Sequence, residues 1–263
     1  MNNTVNLLLV GDIVGKSGRR AITRFLKQVC GEYEIDFVIA NGENAAGGMG
    51  LTQDVACELF GRGVHVLTSG NHIWDKKDIY GLIDEEPRLL RPANYPPGVP
   101  GLGLGFYVLG DYHIGVINLL GRVFIHDLDC PFRCVDALLE EAKAKTNIIV
   151  VDFHGEATAE KCAMGWYLDG RVSAVFGTHT HVQTNDARIL PGGTAYISDV
   201  GMCGARDGVL GFTVDPIIGK FKSGLPTRFE VAKGSLLFCA LVVRINPETG
   251  LAESTTTISL TED

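Results

Sequence analysis

The sequence lacks any long apolar run. No uninterrupted apolar stretch in its 263 residues approaches the roughly 20 residues that a membrane-spanning helix requires. The first residues lead into the short run Val5–Val10, without the basic start and longer apolar stretch of a secretory signal. We therefore expect a soluble protein of the cytoplasm with no membrane partner.

Excess positive charge and a disulfide framework are also absent. The formal net charge of −8 predicts no extended basic surface, so any nucleic acid would have to bind at a local site. The seven cysteines are odd in number and widely scattered, which suits reduced thiols. Small phosphorylated ligands held by metal ions remain compatible with this composition.

Short apolar runs alternate with segments of helical spacing. The predicted strands are residues 5–10, 36–40, 64–68, 147–151 and 172–176. The predicted helices are residues 18–30, 52–61, 135–145 and 157–167. This alternation predicts a layered α/β fold in which helices flank a β-sheet core. We expect a single domain over residues 1–263, with a small cap formed by loop insertions.

The remaining segments are less regular. Residues 84–105 are rich in Pro and Gly and predict a structured loop before strand-like runs at 106–109 and 113–118. Residues 236–245 and 254–260 flank a turn sequence and predict a strand pair. Residues 202–233 show no clear periodicity, and we expect them to cover a site or to form the subunit contact of a homo-oligomer.

Metal-binding side chains follow the predicted strands, at the point where each strand ends. They are Asp12, Glu43, Asn44, Asn71, His154, His179 and His181. Because ligand sites of open α/β sheets form at the carboxyl ends of the strands, we expect these side chains to meet in space. Imidazoles, carboxylates and amide oxygens without a thiolate suit iron, manganese or zinc. Seven such groups are about right for two ions.

Several of these residues also have a structural interpretation. Asp12 could cap the following helix, and Asn44 and Asn71 could be ordinary turn residues. The pair His179 and His181 is more specific, because two imidazoles two residues apart on an extended segment point the same way. The repeated placement at strand ends favours a metal site over these alternatives.

The same residues resemble the motif series of the calcineurin-like metallophosphoesterases. More closely, the chain resembles the bacterial YmdB family over nearly its whole length. The most specific stretches are Asn41-Gly-Glu-Asn-Ala-Ala-Gly-Gly, Gly70-Asn-His-Ile-Trp-Asp-Lys and Gly177-Thr-His-Thr-His-Val-Gln-Thr. The broad superfamily has Asp-x-His at its first motif and Gly-Asp at its second. Here Val14 replaces that His and Glu43-Asn44 replace that Asp, as in the narrower family.

The resemblance implies a layered metallophosphoesterase fold with a dinuclear metal site at the strand carboxyl ends. It implies that Glu43 bridges two ions, one also held by Asp12, Asn44 and His181, the other by Asn71, His154 and His179. Members of the family bind iron and hydrolyse cyclic nucleotide phosphodiesters, including the 2′,3′ and 3′,5′ forms. We therefore expect a phosphodiesterase with two divalent ions, iron ahead of manganese or zinc.

A mechanism follows as a hypothesis. A hydroxide shared by two ions would attack phosphorus in line, so no Ser or Cys nucleophile is needed. His72 is placed to protonate the leaving alkoxide. Asp75 could orient His72 or could begin the next helix. Asp152 and Glu156 lie beside His154, but capping or solvated positions explain them as well, and they stay outside the predicted site.

Three other functions stay open at this point. A phosphomonoesterase or protein phosphatase of the same fold would use the same metals. A nucleotide-binding regulatory module would hydrolyse its ligand only incidentally, although His72 beside a full ligand set favours an enzyme. A nuclease acting on RNA is the third alternative, and the acidic balance of the chain disfavours it.

Overall fold

The computed structural model describes residues 4–262. The helices are α1 (Gly15–Glu32), α2 (Gln53–Gly61), α3 (Ile79–Leu82), α4 (Pro131–Lys143), α5 (Thr158–Leu168) and α6 (Val214–Ser223). The first strands are β1 (Val5–Val10), β2 (Asp12–Ile13), β3 (Phe37–Asn41), β4 (Val66–Thr68), β5 (Leu104–Leu109), β6 (Tyr112–Leu120) and β7 (Ile148–His154). The others are β8 (Ala174–Thr178), β9 (Arg188–Ile189), β10 (Ala195–Ile197), β11 (Met202–Ala205), β12 (Leu236–Ile245) and β13 (Ala252–Glu262).

The strands form two sheets. The first has the order β2-β11-β12-β1-β3-β4, with β13 paired to β12. Strands β1, β3 and β4 are parallel, whereas β12 runs antiparallel to β1 and β13. The second has the order β5-β6-β7-β8-β10-β9, and β6, β7, β8 and β10 are parallel. The parallel strands of both sheets carry the candidate site at their carboxyl ends.

Apolar residues that alternate along the strands pack the two sheets against each other. One buried cluster joins Leu7 and Leu9 of β1 to Val116 of β6 and Val150 of β7. The intervening residues of β1 pack against α1 and α2, and those of β7 pack against α4 and α5. The order of layers is therefore helix, sheet, sheet, helix, as the period of two along each strand requires.

The predicted layered α/β fold is confirmed, with one difference in detail. The sequence pattern predicts one open sheet, but β6, β7 and β8 pair in a second sheet that faces the first. The predicted strand pair near the C-terminus is present as β12 and β13. Residues 202–233, which show no clear periodicity, contain β11 and α6. No helix among residues 4–262 is long and apolar enough to cross a membrane.

Candidate metal centre

Asp12 is a buried carboxylate whose two oxygens have different surroundings. Its Oδ2 accepts a hydrogen bond from the backbone N–H of His179 at 3.0 Å. Its Oδ1 has no hydrogen-bond partner among the described residues and lies 3.9 Å from Nε2 of His181. Helix α1 has Val14 at its N-cap and no side-chain cap, so the alternative of Asp12 as a helix cap is wrong. A buried carboxylate oxygen left in this way is costly unless a cation satisfies it.

Glu43 follows β3 and contacts residues on both sides of the site. Its Oε1 lies 3.1 Å from Nε2 of His154 and 3.1 Å from Nδ2 of Asn44. Its Oε2 accepts a hydrogen bond of 3.1 Å from the backbone N–H of His72. The side chain is 1% exposed, so this carboxylate is surrounded by the other candidate ligands.

A second group of side chains surrounds His154 at the end of β7. Nε2 of His154 lies 3.1 Å from Oδ1 of Asn71 and 3.0 Å from Nδ1 of His179. Glu43, His154 and His179 each offer one ligand atom, and these atoms lie within 4.8 Å of one another. A carboxylate with two imidazoles at this spacing is a donor set suited to a divalent metal ion.

His181 belongs to the group around Asp12. Its Nδ1 lies 3.0 Å from the carbonyl oxygen of Leu210, which can only accept, so Nδ1 carries the hydrogen. The Nε2 lone pair therefore faces Asp12 and Asn44, whose Nδ2 is 3.3 Å away. Exchange of the Asn44 amide nitrogen and oxygen would present an oxygen at that point.

The backbone around these two histidines differs from the sequence-based expectation. His179 and His181 have φ values of 101° and 65°, so the segment is a strained turn and not an extended strand. Asp199 stabilises the turn through Thr180. Oδ2 of Asp199 accepts hydrogen bonds from the backbone N–H of Thr180 at 2.9 Å and from the hydroxyl of Thr180 at 2.7 Å. The two imidazoles still reach the same site.

Charge in this buried centre shifts several pKa values. Burial alone would raise the pKa of Glu43, but the adjacent His154 lowers it to about 2. Burial opposes protonation of His154, yet Glu43 and Asp12 raise its pKa to about 9. Burial and the neighbouring His154 lower the pKa of His179 to about 3. Burial raises the pKa of Asp12. In this arrangement a proton on His154 supplies the positive charge that the two carboxylates require.

A chain of hydrogen bonds orients His154. The hydroxyl of Thr178 donates to Oδ1 of Asp152 at 2.7 Å, and Nδ1 of His154 donates to that hydroxyl at 2.9 Å. This fixes one hydrogen on Nδ1, so Nε2 is the nitrogen that would bind a metal once its own proton is lost. Asp152 is fully buried, and burial raises its pKa to about 7.

Two further residues, Asp152 and Glu156, belong to this centre although they lie outside the set predicted from the sequence. Asp152 lies two positions before His154 on β7, and the period of two along a strand places both on one face. This spacing is visible in the sequence and could have identified Asp152. Oε2 of Glu156 lies 3.1 Å from Nε2 of His179, a contact between separate loops that no sequence pattern indicates.

His72 and residues of 202–233 line a cavity of about 330 Å³ at the centre. Nδ1 of His72 lies 2.8 Å from Oδ2 of Asp75, the geometry needed for Asp75 to orient the imidazole. Leu210, Phe212 and Phe229 form part of the cavity wall. Of the two expectations for residues 202–233, covering the site therefore agrees with the structure.

The residues present fit a metal site. Oδ1 of Asp12 has no hydrogen-bond partner in the part of the chain that the structure describes, and a bound cation would satisfy it. The convergent donors around Glu43 also favour a cation. Gly70 supports the same arrangement, because a Cβ at this position would overlap the ring of His154 and Oε2 of Glu43. The chain therefore keeps a glycine where the ligands approach the backbone closely.

Comparison with known proteins agrees with this geometry. The model of the YmdB-like protein family matches residues 8–258. A Bacillus subtilis (strain 168) protein named 2′,3′-cyclic-nucleotide 2′-phosphodiesterase is 48% identical over 98% of each chain. A crystal structure described as a novel phosphatase from Mycoplasma pneumoniae has a TM-score of 0.95 and 34% identity, covering 100% of this chain and 95% of that one.

A third match is the crystal structure of a hypothetical protein from Thermus thermophilus. It has a TM-score of 0.93 and 41% identity, covering 98% of this chain and 100% of the other. The predicted family resemblance and the prediction of a hydrolase with the layered metallophosphoesterase fold are confirmed, and that fold implies divalent metal ions. The chain belongs to the YmdB-like protein family.

Proposed function

We propose that this chain is a metal-dependent phosphodiesterase that hydrolyses cyclic nucleotides, including 2′,3′- and 3′,5′-cyclic monophosphates. The observation that carries the proposal is the meeting of Asp12, Glu43 and three imidazoles in one centre, three of which, Glu43, His179 and His181, line the cavity. One oxygen of Asp12 has no hydrogen-bond partner among residues 4–262. The name of the Bacillus subtilis relative supports the 2′,3′-cyclic form as the first substrate to test.

Seven side chains are proposed to hold two divalent ions. Glu43, which contacts both groups, is the proposed bridge. One ion is assigned to Asp12, Asn44 and His181, and the other to Asn71, His154 and His179. Oxygen and imidazole donors without a thiolate suit iron, with manganese and zinc as alternatives. When bound, such ions act as Lewis acids on phosphoryl oxygens and lower the pKa of water towards neutrality.

His72 is proposed to protonate the leaving alkoxide. It lines the cavity, and its Nδ1 contact with Asp75 leaves Nε2 available to the leaving oxygen. Its backbone N–H donates to Glu43, so the loop that carries the acid is tied to the proposed bridging carboxylate. Glu156 contacts His179 and orients that ring at the cavity edge.

A phosphomonoesterase is the second candidate function. The Mycoplasma pneumoniae structure at 34% identity is described as a phosphatase, and two-metal chemistry does not itself select a diester over a monoester. Rates with bis-aryl and mono-aryl phosphates separate the two candidates. RNA as an alternative substrate, a homo-oligomer and a cytoplasmic location stay predictions.

The test of the proposed function is turnover of 2′,3′-cyclic AMP by protein loaded anaerobically with iron, or with manganese, and by the same protein after chelation. Glu43→Gln removes the proposed bridge, and Glu32→Gln, on the exposed end of α1, is the matched control. We expect turnover that requires metal, is lost in Glu43→Gln and is kept in Glu32→Gln. Equal turnover with and without metal would contradict the proposal.

A further inference from the structure

One wall of the active-site cavity is apolar and carries two aromatic rings. Phe212 and Phe229 are both half-buried, and Met49 and Leu210 beside them are 45% and 43% exposed. Other parts of the same cavity are lined by His72 and by four of the proposed ligands, Glu43, Asn44, His179 and His181. Neither the metals nor the proposed acid requires an aromatic wall, so the wall needs an explanation of its own.

The two rings meet at an angle and do not stack on each other. Their centroids are 5.9 Å apart and their planes are inclined by 50°. The ammonium of Lys220 lies 4.9 Å from the centroid of the Phe229 ring, close enough for a cation–π contact. At Gly48 a Cβ would lie 2.9 Å from the Phe212 ring, so glycine lets the loop after Glu43 approach this ring.

A hydrogen bond connects this apolar wall to the candidate metal centre. The carbonyl of Leu210 accepts the hydrogen bond from Nδ1 of His181, and Leu210 has a φ of 55°, which a leucine rarely adopts. Two positions later, Phe212 forms isolated bridges with Val209 and Val231. The same loop therefore orients a candidate metal ligand and presents the aromatic surface.

We propose that Phe212 and Phe229, with Met49 and Leu210, form a nucleobase-binding site in the active-site cavity. The inference rests on the proposed function, because a cyclic nucleotide places its base a ribose away from the phosphate. A cavity of about 330 Å³ lies within the range of small-molecule sites, roughly 300–1,000 Å³. Aromatic side chains bind bases by stacking on their π faces.

This wall predicts broad base acceptance. Phe212, Phe229 and Leu210 have no side-chain group that could form a hydrogen bond with a base edge, and the sulfur of Met49 is only a weak acceptor. Stacking depends on contact area and tolerates every base. Both purine and pyrimidine cyclic nucleotides are therefore substrates, with the purine bound more tightly because its ring system is larger.

The test compares Phe212→Leu and Phe229→Leu with the unchanged enzyme, all loaded with manganese. Leucine keeps apolar bulk and removes the ring, so KM for 2′,3′-cyclic AMP should rise by about tenfold, while kcat stays within about twofold. Glycerol 1,2-cyclic phosphate carries no base, and its kcat/KM should not change. Phe229→Tyr keeps the ring and should restore a low KM.

The matched control is Phe221→Leu, an aromatic residue of α6 that is 83% exposed and outside the cavity lining. It should leave KM for both substrates unchanged. An unchanged KM for 2′,3′-cyclic AMP in both cavity variants would overturn the nucleobase site. An equal loss with glycerol 1,2-cyclic phosphate would also overturn it, because the metal centre would then be the part disturbed.

A binding measurement separates this inference from the proposed function. Calorimetric titration with adenosine 3′-monophosphate reports contact with the base whether or not the cyclic diester is hydrolysed. Weaker binding to Phe229→Leu than to Phe229→Tyr supports the site even if no cyclic nucleotide is turned over. Equal binding to the two variants, or no binding to the unchanged protein, overturns it.

Discussion

Lys161 and Asp199 form a buried ion pair next to the candidate metal centre, with Nζ 2.6 Å from Oδ2. Their side chains are 3% and 1% exposed. The same carboxylate oxygen accepts two hydrogen bonds from Thr180, the residue between His179 and His181. The pair therefore connects α5 to the turn that carries two of the candidate ligands.

Breaking this pair should destabilise the protein. Asp199→Ala leaves the ammonium of Lys161 buried without its charge partner, and such changes cost about 3–5 kcal/mol. Glu141→Gln is the matched control, because Glu141 and Lys145 form an ion pair with side chains about half exposed. Exposed pairs contribute about 0–1 kcal/mol. Urea unfolding of metal-free protein measures both free energies, and equal losses would contradict the role assigned to the buried pair.

Gly70→Ala should weaken metal binding. The added Cβ would overlap His154 and Glu43, so these two candidate ligands would have to move apart. A loss of metal affinity of about tenfold or more is expected, as for other changes that displace ligands. Gly81→Ala is the control, since a Cβ there meets nothing within 4 Å. Competition with a chromophoric chelator measures the affinity, and equal affinities in the two variants would count against the proposed site.

Metal binding should release protons. The pKa of His154 is raised to about 9 in the metal-free arrangement, so its imidazole is protonated at pH 7 and must lose that proton to bind a metal. We expect metal affinity to rise with pH until about pH 9. Calorimetry in buffers of different ionisation enthalpy should detect at least one proton released per protein at pH 7, and none released would contradict this account.

The raised pKa of His154 also determines how the stability of metal-free protein changes with pH. Because the pKa of His154 is raised above its ordinary value of 6.5, its stabilising contribution is fully present below pH 6.5. That contribution is lost as pH rises through about 9. Metal-loaded protein should not show this loss, since the imidazole then has no proton to release.

His72→Ala should affect substrates according to their leaving groups. General acids contribute about 10²–10⁴-fold when the leaving group needs a proton. Turnover of 2′,3′-cyclic AMP should fall by about 10² or more, whereas bis(4-nitrophenyl) phosphate, whose leaving group needs no proton, should lose little. His126→Ala, at an exposed histidine outside the cavity lining, is the control. Equal losses on both substrates, with metal retained, would assign His72 a structural role.

Part of the candidate metal centre could be predicted because the local sequence pattern determines where several of its residues lie. A polar residue at or just beyond the end of a buried apolar run is visible in the sequence, and Asp12, Glu43 and His154 all follow that rule. The contact of Glu156 with His179 and the position of Phe229 depend on how separate loops pack, which no periodicity encodes. The second sheet was missed for a similar reason, because apolar strands do not specify their neighbours.

The most direct test of the central claim follows the products of 2′,3′-cyclic AMP with metal-loaded enzyme by phosphorus NMR, beside the same enzyme given adenosine 3′-monophosphate. The account predicts that the cyclic diester is consumed, that a nucleoside monophosphate accumulates and that the monoester supplied separately is left intact. Release of inorganic phosphate from the monoester at a rate equal to or above that of diester opening would contradict a phosphodiesterase and favour a phosphomonoesterase.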